Sequence, residues 1–257
     1  MRIVIKIGTS TLAHPSGHLN IRRTETLCKV ISDIKNAGHE IIIVSSGAIG
    51  MGVGKLGLRQ RPTDIPSKQA AASVGQCELM YTYDKLFGAY SQTVAQLLIT
   101  GDDVASETRH HNFSNTINRL LELGAIPIIN EHDTDATDEI VIGDNDTLAA
   151  IVAQSIRADL LILLSDIDGL YTADPHSHPD AKLIPQISRI DDDVKALAGV
   201  SGSNLGTGGM ITKLRAAEIC LSCGCDMVIT NGSNPDHLYD ILDGKSVGTI
   251  FTEKAYV

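Results

Sequence analysis

Leu160-Leu161-Ile162-Leu163-Leu164 runs for five residues without a polar interruption. A strand with one wet face alternates apolar and polar side chains, so this run reads as a strand covered on both faces. Such strands lie inside parallel-rich sheets sandwiched by helices. Arg2–Ile7, Glu40–Val44, Thr93–Ile99, Ala125–Ile129 and Asp226–Thr230 are mostly apolar in the same way, broken by Lys6 and Gln96. Helical spacing fills the gaps at Ile21–Ala37, Lys68–Gly88, Ser106–Leu123, from Gly143-Asp144-Asn145-Asp146 to about Ala158, Asp191–Leu197 and Met210–Ser222. A further helix starts near Ala48, with Gly50, Gly52, Gly54 and Gly57 arguing against its continuation. Gly169–Pro175 reads as a turn and strand pair, Pro235–Leu242 as a small helix and Thr249–Phe251 as an edge strand. Strands alternating with helices predict an α/β fold, a three-layer sandwich around a central, mostly parallel sheet.

Ligands of such sheets bind beyond the carboxyl ends of the strands. Those ends are polar or small here: Lys6-Ile7-Gly8-Thr9, Ser45-Ser46-Gly47, Asn130-Glu131-His132-Asp133, Ser165-Asp166 and Thr230-Asn231-Gly232. A glycine-rich stretch, Gly206-Thr207-Gly208-Gly209-Met210-Ile211-Thr212-Lys213, leads into the helix from Met210. Glycines ahead of a helix start bring backbone N–H donors and the positive dipole end close to an anion. Lys213 adds a mobile charge one turn in. A Walker A loop is excluded, because Thr212 precedes the lysine and Leu214 follows it. Taken alone, the stretch is equally a surface loop with a solvated lysine.

The chain has 257 residues, a formal net charge of −10 and 43% hydrophobic residues. That balance fits a globular protein and argues against nucleic acid or an anionic membrane as the main partner. No apolar run has the length of a membrane span, and charges at Arg2 and Lys6 break the first apolar segment, so no signal peptide is read there. The cytoplasm is the expected compartment. Five cysteines, Cys28, Cys77, Cys220, Cys223 and Cys225, fit reduced thiols. The last three invite a metal reading, but no second Cys/His pair with zinc spacing follows, and small buried thiols account for them. The adjacent His110 and His111 cannot face one ligand from a helix and read as a solvated helix start.

The ordered set Lys6-Ile7-Gly8-Thr9-Ser10, Ser45-Ser46-Gly47-Ala48-Ile49, Asn130-Glu131-His132-Asp133, Gly143-Asp144-Asn145-Asp146, Leu164-Ser165-Asp166-Ile167-Asp168-Gly169-Leu170-Tyr171 and Gly206-Thr207-Gly208-Gly209-Met210 resembles the amino acid kinase family. The single glycine followed by Thr-Ser after Lys6, and Gly-Asp-Asn-Asp, resemble its glutamate branch. The resemblance implies transfer of the γ-phosphoryl of ATP, with Mg²⁺, to the side-chain carboxylate of glutamate, giving glutamate 5-phosphate in proline biosynthesis. Acetylglutamate or aspartate kinases of the family, or a non-catalytic amino-acid sensor, are the alternatives. The resemblance also implies a homo-oligomer, dimer or tetramer, and proline as a feedback inhibitor. One domain is expected over residues 1–257. About 1–150 would bind the amino acid and about 151–257 ATP, with no room for the PUA-type domain that many relatives carry.

The resemblance distributes roles. Lys6 would contact the transferring phosphoryl, Lys213 would steady the nucleotide phosphates, and Asp146 would hold both lysines in their charged form. Ser46, Gly47, Asn130, Asp133 and Asn145 would bind the acceptor's backbone end. Gly8, Thr9, Ser165, Asp166, Thr207, Gly208, Gly209, Met210, Ile211 and Thr212 would contact ATP. Other readings stay open at this point. Lys6 could snorkel to water, Asp146 could be a plain N-cap and Asp133 a turn residue. Asp168–Tyr171 could pack below adenine or form a tight turn. No dedicated metal site is expected, because Mg²⁺ would ride mainly on phosphate and water.

Overall fold

The computed structural model describes residues 1–14, 18–133, 144–175, 177–199 and 209–254. Among these residues eight strands form one sheet: β1 (Arg2–Ile7), β2 (Glu40–Ser45), β3 (Val94–Ile99), β4 (Ile126–Glu131), β5 (Leu160–Ser165), β6 (Gln186–Ile187), β7 (Asp226–Asn231) and β8 (Thr249–Phe251). The helices are α1 (Thr9–Leu12), α2 (Ile21–Asn36), α3 (Ala48–Lys55), α4 (Ile65–Gly88), α5 (Gly101–Ala105), α6 (Glu107–Glu122), α7 (Asn145–Ser155), α8 (Asp192–Gly199), α9 (Met210–Ser222) and α10 (His237–Leu242). The sheet order is β3-β4-β2-β1-β5-β7-β8-β6, and every neighbouring pair is parallel except β7 with β8. The expected three-layer α/β sandwich is the observed one.

Residue parity along each strand sorts the core into two halves, because successive side chains point to opposite faces. Val4, Ile42, Val44, Ile129, Leu161, Leu163 and Ile229 pack with Leu148 and Val152 of α7 and Leu214 and Ala217 of α9. Ile5, Ile41, Ile43, Ile128, Ile162 and Leu164 pack on the other side with Leu27 and Ile31 of α2 and Leu79, Tyr83 and Phe87 of α4. Lys6 shares its parity with Val4 and so belongs to the α7/α9 side. Ser45 and Asn130 share theirs with Ile43 and Ile128 and belong to the α4 side.

The sheet grows outward from β1. After β1 the chain builds β2, β3 and β4 to one side, then crosses to the other for β5 and the rest. β1 therefore lies at a topological switch, where open α/β sheets place ligands.

Several expectations are corrected. The small and polar end of β1 is not irregular: Thr9–Leu12 forms the short helix α1 directly after Gly8. The glycines of α3 do not end it; the helix runs through Lys55. Their purpose is close packing: a Cβ on Gly52 would run into the Ala71 carbonyl of α4, and one on Gly75 into the Ala48 carbonyl of α3. α4 starts earlier than its apolar period indicates, because Asp64 accepts from Ser67 N at 2.9 Å and caps it with Pro66 in the first turn. The predicted helix over Ser106–Leu123 is preceded by a separate turn of helix, α5, opened by a capping box between Thr100 and Asp103. Gly169–Pro175 is a turn with one antiparallel bridge, Tyr171 to Leu183, and no strand pair of its own. β6 carries too few residues to show a period.

Candidate active site

Three charged groups meet beyond the sheet. Asp146 is 1% exposed, and its Oδ1 lies 2.7 Å from Lys6 Nζ while its Oδ2 accepts from Lys213 Nζ at 3.0 Å. The lysine side chains are 12% and 5% exposed. Thr212 Oγ1 also reaches Asp146 Oδ2, at 3.2 Å. The fold explains the meeting. Lys6 is the fifth residue of β1, Asp146 is the second residue of α7, and Lys213 lies in the first turn of α9. α7 and α9 lie side by side on the face that Lys6 points to.

The N-cap question resolves through the neighbouring residue. Asp144, not Asp146, caps α7: its Oδ1 accepts from Thr147 N and its Oδ2 from Thr147 Oγ1, both at 2.8 Å. Asp146 is left for the lysines. Burial pushes its carboxyl up, but the charges and hydrogen bonds of Lys6 and Lys213 outweigh that, so its pKa falls below the ordinary carboxylate value. Two buried ammoniums against one carboxylate leave a net positive charge at this point of the sheet edge, suited to an oxyanion ligand.

A second, neutral network adjoins it. Asn145 Nδ2 donates to Ser46 Oγ at 2.7 Å, to Asn130 Oδ1 at 3.2 Å and to the Ser45 carbonyl at 3.4 Å. Asn130 Nδ2 in turn donates to Gln76 Oε1 on α4 at 3.0 Å. Ser45 Oγ and the buried Tyr83 hydroxyl of α4 are 2.9 Å apart. The ends of β2 and β4, the start of α7 and the middle of α4 are thus tied together. Gly47, at φ +108°, turns the chain from β2 into α3 in a conformation that L side chains rarely adopt.

The remaining predicted positions fall around these two networks. Gly8 follows β1; its N–H donates to the Leu164 carbonyl at 3.3 Å, and a Cβ there would sit 3.6 Å from Lys6 Nζ. Thr9 opens α1 and is exposed. Ser165 ends β5 and donates to Asp166 Oδ1 at 3.1 Å, and its carbonyl accepts from Gly232 N at 2.8 Å. Gly209 is the N-cap of α9, followed by buried Met210 and by Ile211, which is 66% exposed. Asp133 lies just past β4; burial raises its pKa, opposed by the charges of Arg61 and His132. Thr207 and Gly208 lie outside the described residues, as does Gly143.

Asp168 belongs to the tight turn. It accepts from Tyr171 Oη and Asn231 Nδ2, both at 2.9 Å, while Leu170 N donates to Thr249 Oγ1 and ties the turn to β8. Cys220 and Cys225 are buried free thiols, but Cys223 and Cys77 are exposed, against the expectation for Cys223. His110 and His111 diverge as expected: His110 Nε2 meets Ser155 Oγ at 2.6 Å, and His111 Nε2 meets Asn115 Nδ2 at 2.9 Å. His110 is not simply solvated, because that bond joins α6 to α7. Sequence reasoning missed Gln76 and Tyr83. Both stand on the inward face of α4, and the one signal for Gln76 is a polar side chain where the alanine-rich helical pattern expects an apolar one.

Among the described residues no group of three or more His, Cys, Asp or Glu could hold a metal ion, and no helix is long and apolar enough to cross a membrane. Both carboxylate oxygens of Asp146 are committed to ammoniums. This donor set fits a magnesium ion that arrives with phosphate oxygens and water as its own ligands.

The sequence pattern of the amino acid kinase family matches residues 1–231. A glutamate 5-kinase of Clostridium perfringens is 51% identical over 98% of this chain and 96% of its own length, and one of Clostridium acetobutylicum is 53% identical over 98% and 95%. Among solved structures, isopentenyl phosphate kinase of T. acidophilum superimposes with a TM-score of 0.66 at 18% identity, over 98% of this chain and all of that one. Carbamate kinase of Giardia lamblia, bound to AMP-PNP, gives 0.67 at 18% identity, over 98% of each chain. With the family pattern spanning most of its length and relatives more than half identical across it, the chain belongs to the amino acid kinase family.

Proposed function

We propose that this protein transfers the γ-phosphoryl of ATP to the side-chain carboxylate of L-glutamate, giving glutamate 5-phosphate, the first step of proline biosynthesis. The observation that carries the reading is the buried Lys6–Asp146–Lys213 bridge beyond the strands, in a chain about half identical to proteins named glutamate 5-kinase.

A glutamate carboxylate has an ordinary pKa of about 4.3 and is ionised at neutral pH, so attack needs no general base. One carboxylate oxygen forms the new bond to the γ-phosphorus. The bond from that phosphorus to the β–γ bridging oxygen breaks, and ADP leaves with the electron pair. The obstacle is the repulsion between an anion and a highly charged phosphate. Fixed cations aimed at the developing charge remove it. Lys6 would contact the transferring phosphoryl and Lys213 the nucleotide phosphates. Asp146 holds both ammoniums in place before substrate arrives, so little reorganisation is left for the reaction.

Ser165, Asp166 and the start of α9, from Gly209 through Lys213, would hold the rest of ATP, with helix N–H donors toward phosphate. Magnesium bound with ATP would neutralise phosphate charge. Ser46, Gly47, Asn130, Asp133 and Asn145 would bind glutamate. In this reading residues up to about 150 serve the amino acid and the remainder ATP. An ATP-consuming step in biosynthesis fits the cytoplasm. The same reading extends to a homo-oligomer and to feedback inhibition by proline, which sedimentation velocity and a proline titration of turnover test.

The deciding experiment is a coupled ADP-release assay with glutamate, aspartate, N-acetylglutamate and UMP as acceptors. Glutamate should be preferred. Turnover of another acceptor without turnover of glutamate would overturn the assignment.

A further inference from the structure

The neutral network next to the lysine bridge has a fixed polarity. The Ser45 carbonyl can only accept, so Asn145 presents its Nδ2 to it. The same Nδ2 faces Asn130, which must therefore present Oδ1. Asn130 then has only Nδ2 to offer Gln76, so Gln76 answers with Oε1. One backbone oxygen thereby orients three amides in series. The relay leaves two buried side-chain atoms with no hydrogen-bond partner, one at each end: Gln76 Nε2, a donor, and Asn145 Oδ1, an acceptor. Gln76 is 9% exposed, and Asn130, between them, is 3% exposed. Leaving such atoms unpaired is costly, so their retention calls for a ligand that pairs with them.

We propose that Gln76 determines acceptor specificity. Its Nε2 donates to the α-carboxylate of a free α-amino acid, while Asn145 Oδ1 accepts from the same molecule's ammonium. One unpaired donor and one unpaired acceptor match a zwitterion, which presents one acceptor group and one donor group. An N-acylated acceptor exchanges its charged ammonium for a single neutral N–H, and an α-amide exchanges its charged carboxylate for one neutral accepting oxygen and a donor, so each pairs more weakly with one end of the relay. A site built to hydrogen-bond a group discriminates strongly against analogues lacking it. The inference rests on glutamate being the acceptor and adds a residue of α4, remote in sequence from the glycine-rich and lysine motifs.

The test is Gln76→Glu, which keeps the chain length and the oxygen that accepts from Asn130 but replaces the unpaired donor with an oxygen. Steady-state kinetics are measured with glutamate and with its α-amide, whose side-chain carboxylate is intact. The variant is expected to raise KM for glutamate about tenfold or more, to leave KM for ATP unchanged, and to shift the kcat/KM ratio of α-amide over glutamate about tenfold toward the amide. An unchanged ratio, or a KM for ATP that rises in step with that for glutamate, would overturn the proposal, since a merely structural role would disturb both substrates. If Gln76→Glu does not fold, Gln76→Leu buries no charge, and the same split between the two KM values decides. Failure of the wild-type protein to phosphorylate glutamate would instead count against the function proposed above. An active wild type with an unaffected variant would count against Gln76 alone.

Discussion

At the scale of single residues the site is a problem in burying charge. Asp146 is 1% exposed and carries two ammoniums within 3.0 Å. Removing one partner of a buried pair costs about 3–5 kcal/mol, because the other is left uncompensated. Asp146→Ala removes the carboxylate that both lysines share and should lower stability by about that much. Lys6→Ala leaves Asp146 paired to Lys213, so it should cost less stability. Its turnover, however, should drop by about 10²- to 10³-fold, the scale seen when one donor to a developing oxyanion is lost. Urea denaturation and steady-state kinetics on the two variants separate these effects. Near-normal turnover by a folded Lys6→Ala protein would remove Lys6 from the reacting centre.

At the scale of elements, α3 and α4 explain both a failure and a success of sequence reading. The propensity cost of Gly50, Gly52 and Gly54 argues against a helix, yet the helix persists because tertiary contact outweighs propensity. Gly52 and Gly75 let two backbones approach more closely than any side chain permits. That fact depends on the partner helix and is not visible in either segment alone. The start of α4, by contrast, is written locally in Asp64 and Pro66. The close crossing also seats α4 so that Gln76 and Tyr83 reach Asn130 and Ser45. Gly75→Ala drives a methyl into the Ala48 carbonyl, and backbone cannot yield as a flexible side chain does. The expected outcome is a loss of about 1–3 kcal/mol or more from overpacking, with KM for glutamate raised more than KM for ATP. Thermal unfolding together with the two KM values tests this. An unaltered melting temperature would mean the helices can separate at no cost.

At the scale of the whole molecule, strand parity links fold to site. The unbroken apolar runs made the parallel sheet legible, and Lys6 stood out as a charge within one of them. Its destination was not legible from the run, because that depends on which helices cover the Val4 face. α7 and α9 do so, and they bring Asp146 and Lys213 from 140 and more positions along the chain. The bridge therefore fastens β1 to α7 and α7 to α9, and its stability should follow the protonation of Asp146. The folded-state pKa of Asp146 lies below the ordinary carboxylate value of about 3.9. A depressed carboxyl contributes stability that is fully present above the unfolded value and is lost as pH falls through the folded one. Asp146→Asn lacks that titration but keeps the shape. The wild-type advantage in urea midpoint should be full at pH 6 and should shrink as pH drops below about 4. A gap of constant size from pH 6 to the acid limit would mean that Asp146 is not held ionised by Lys6 and Lys213.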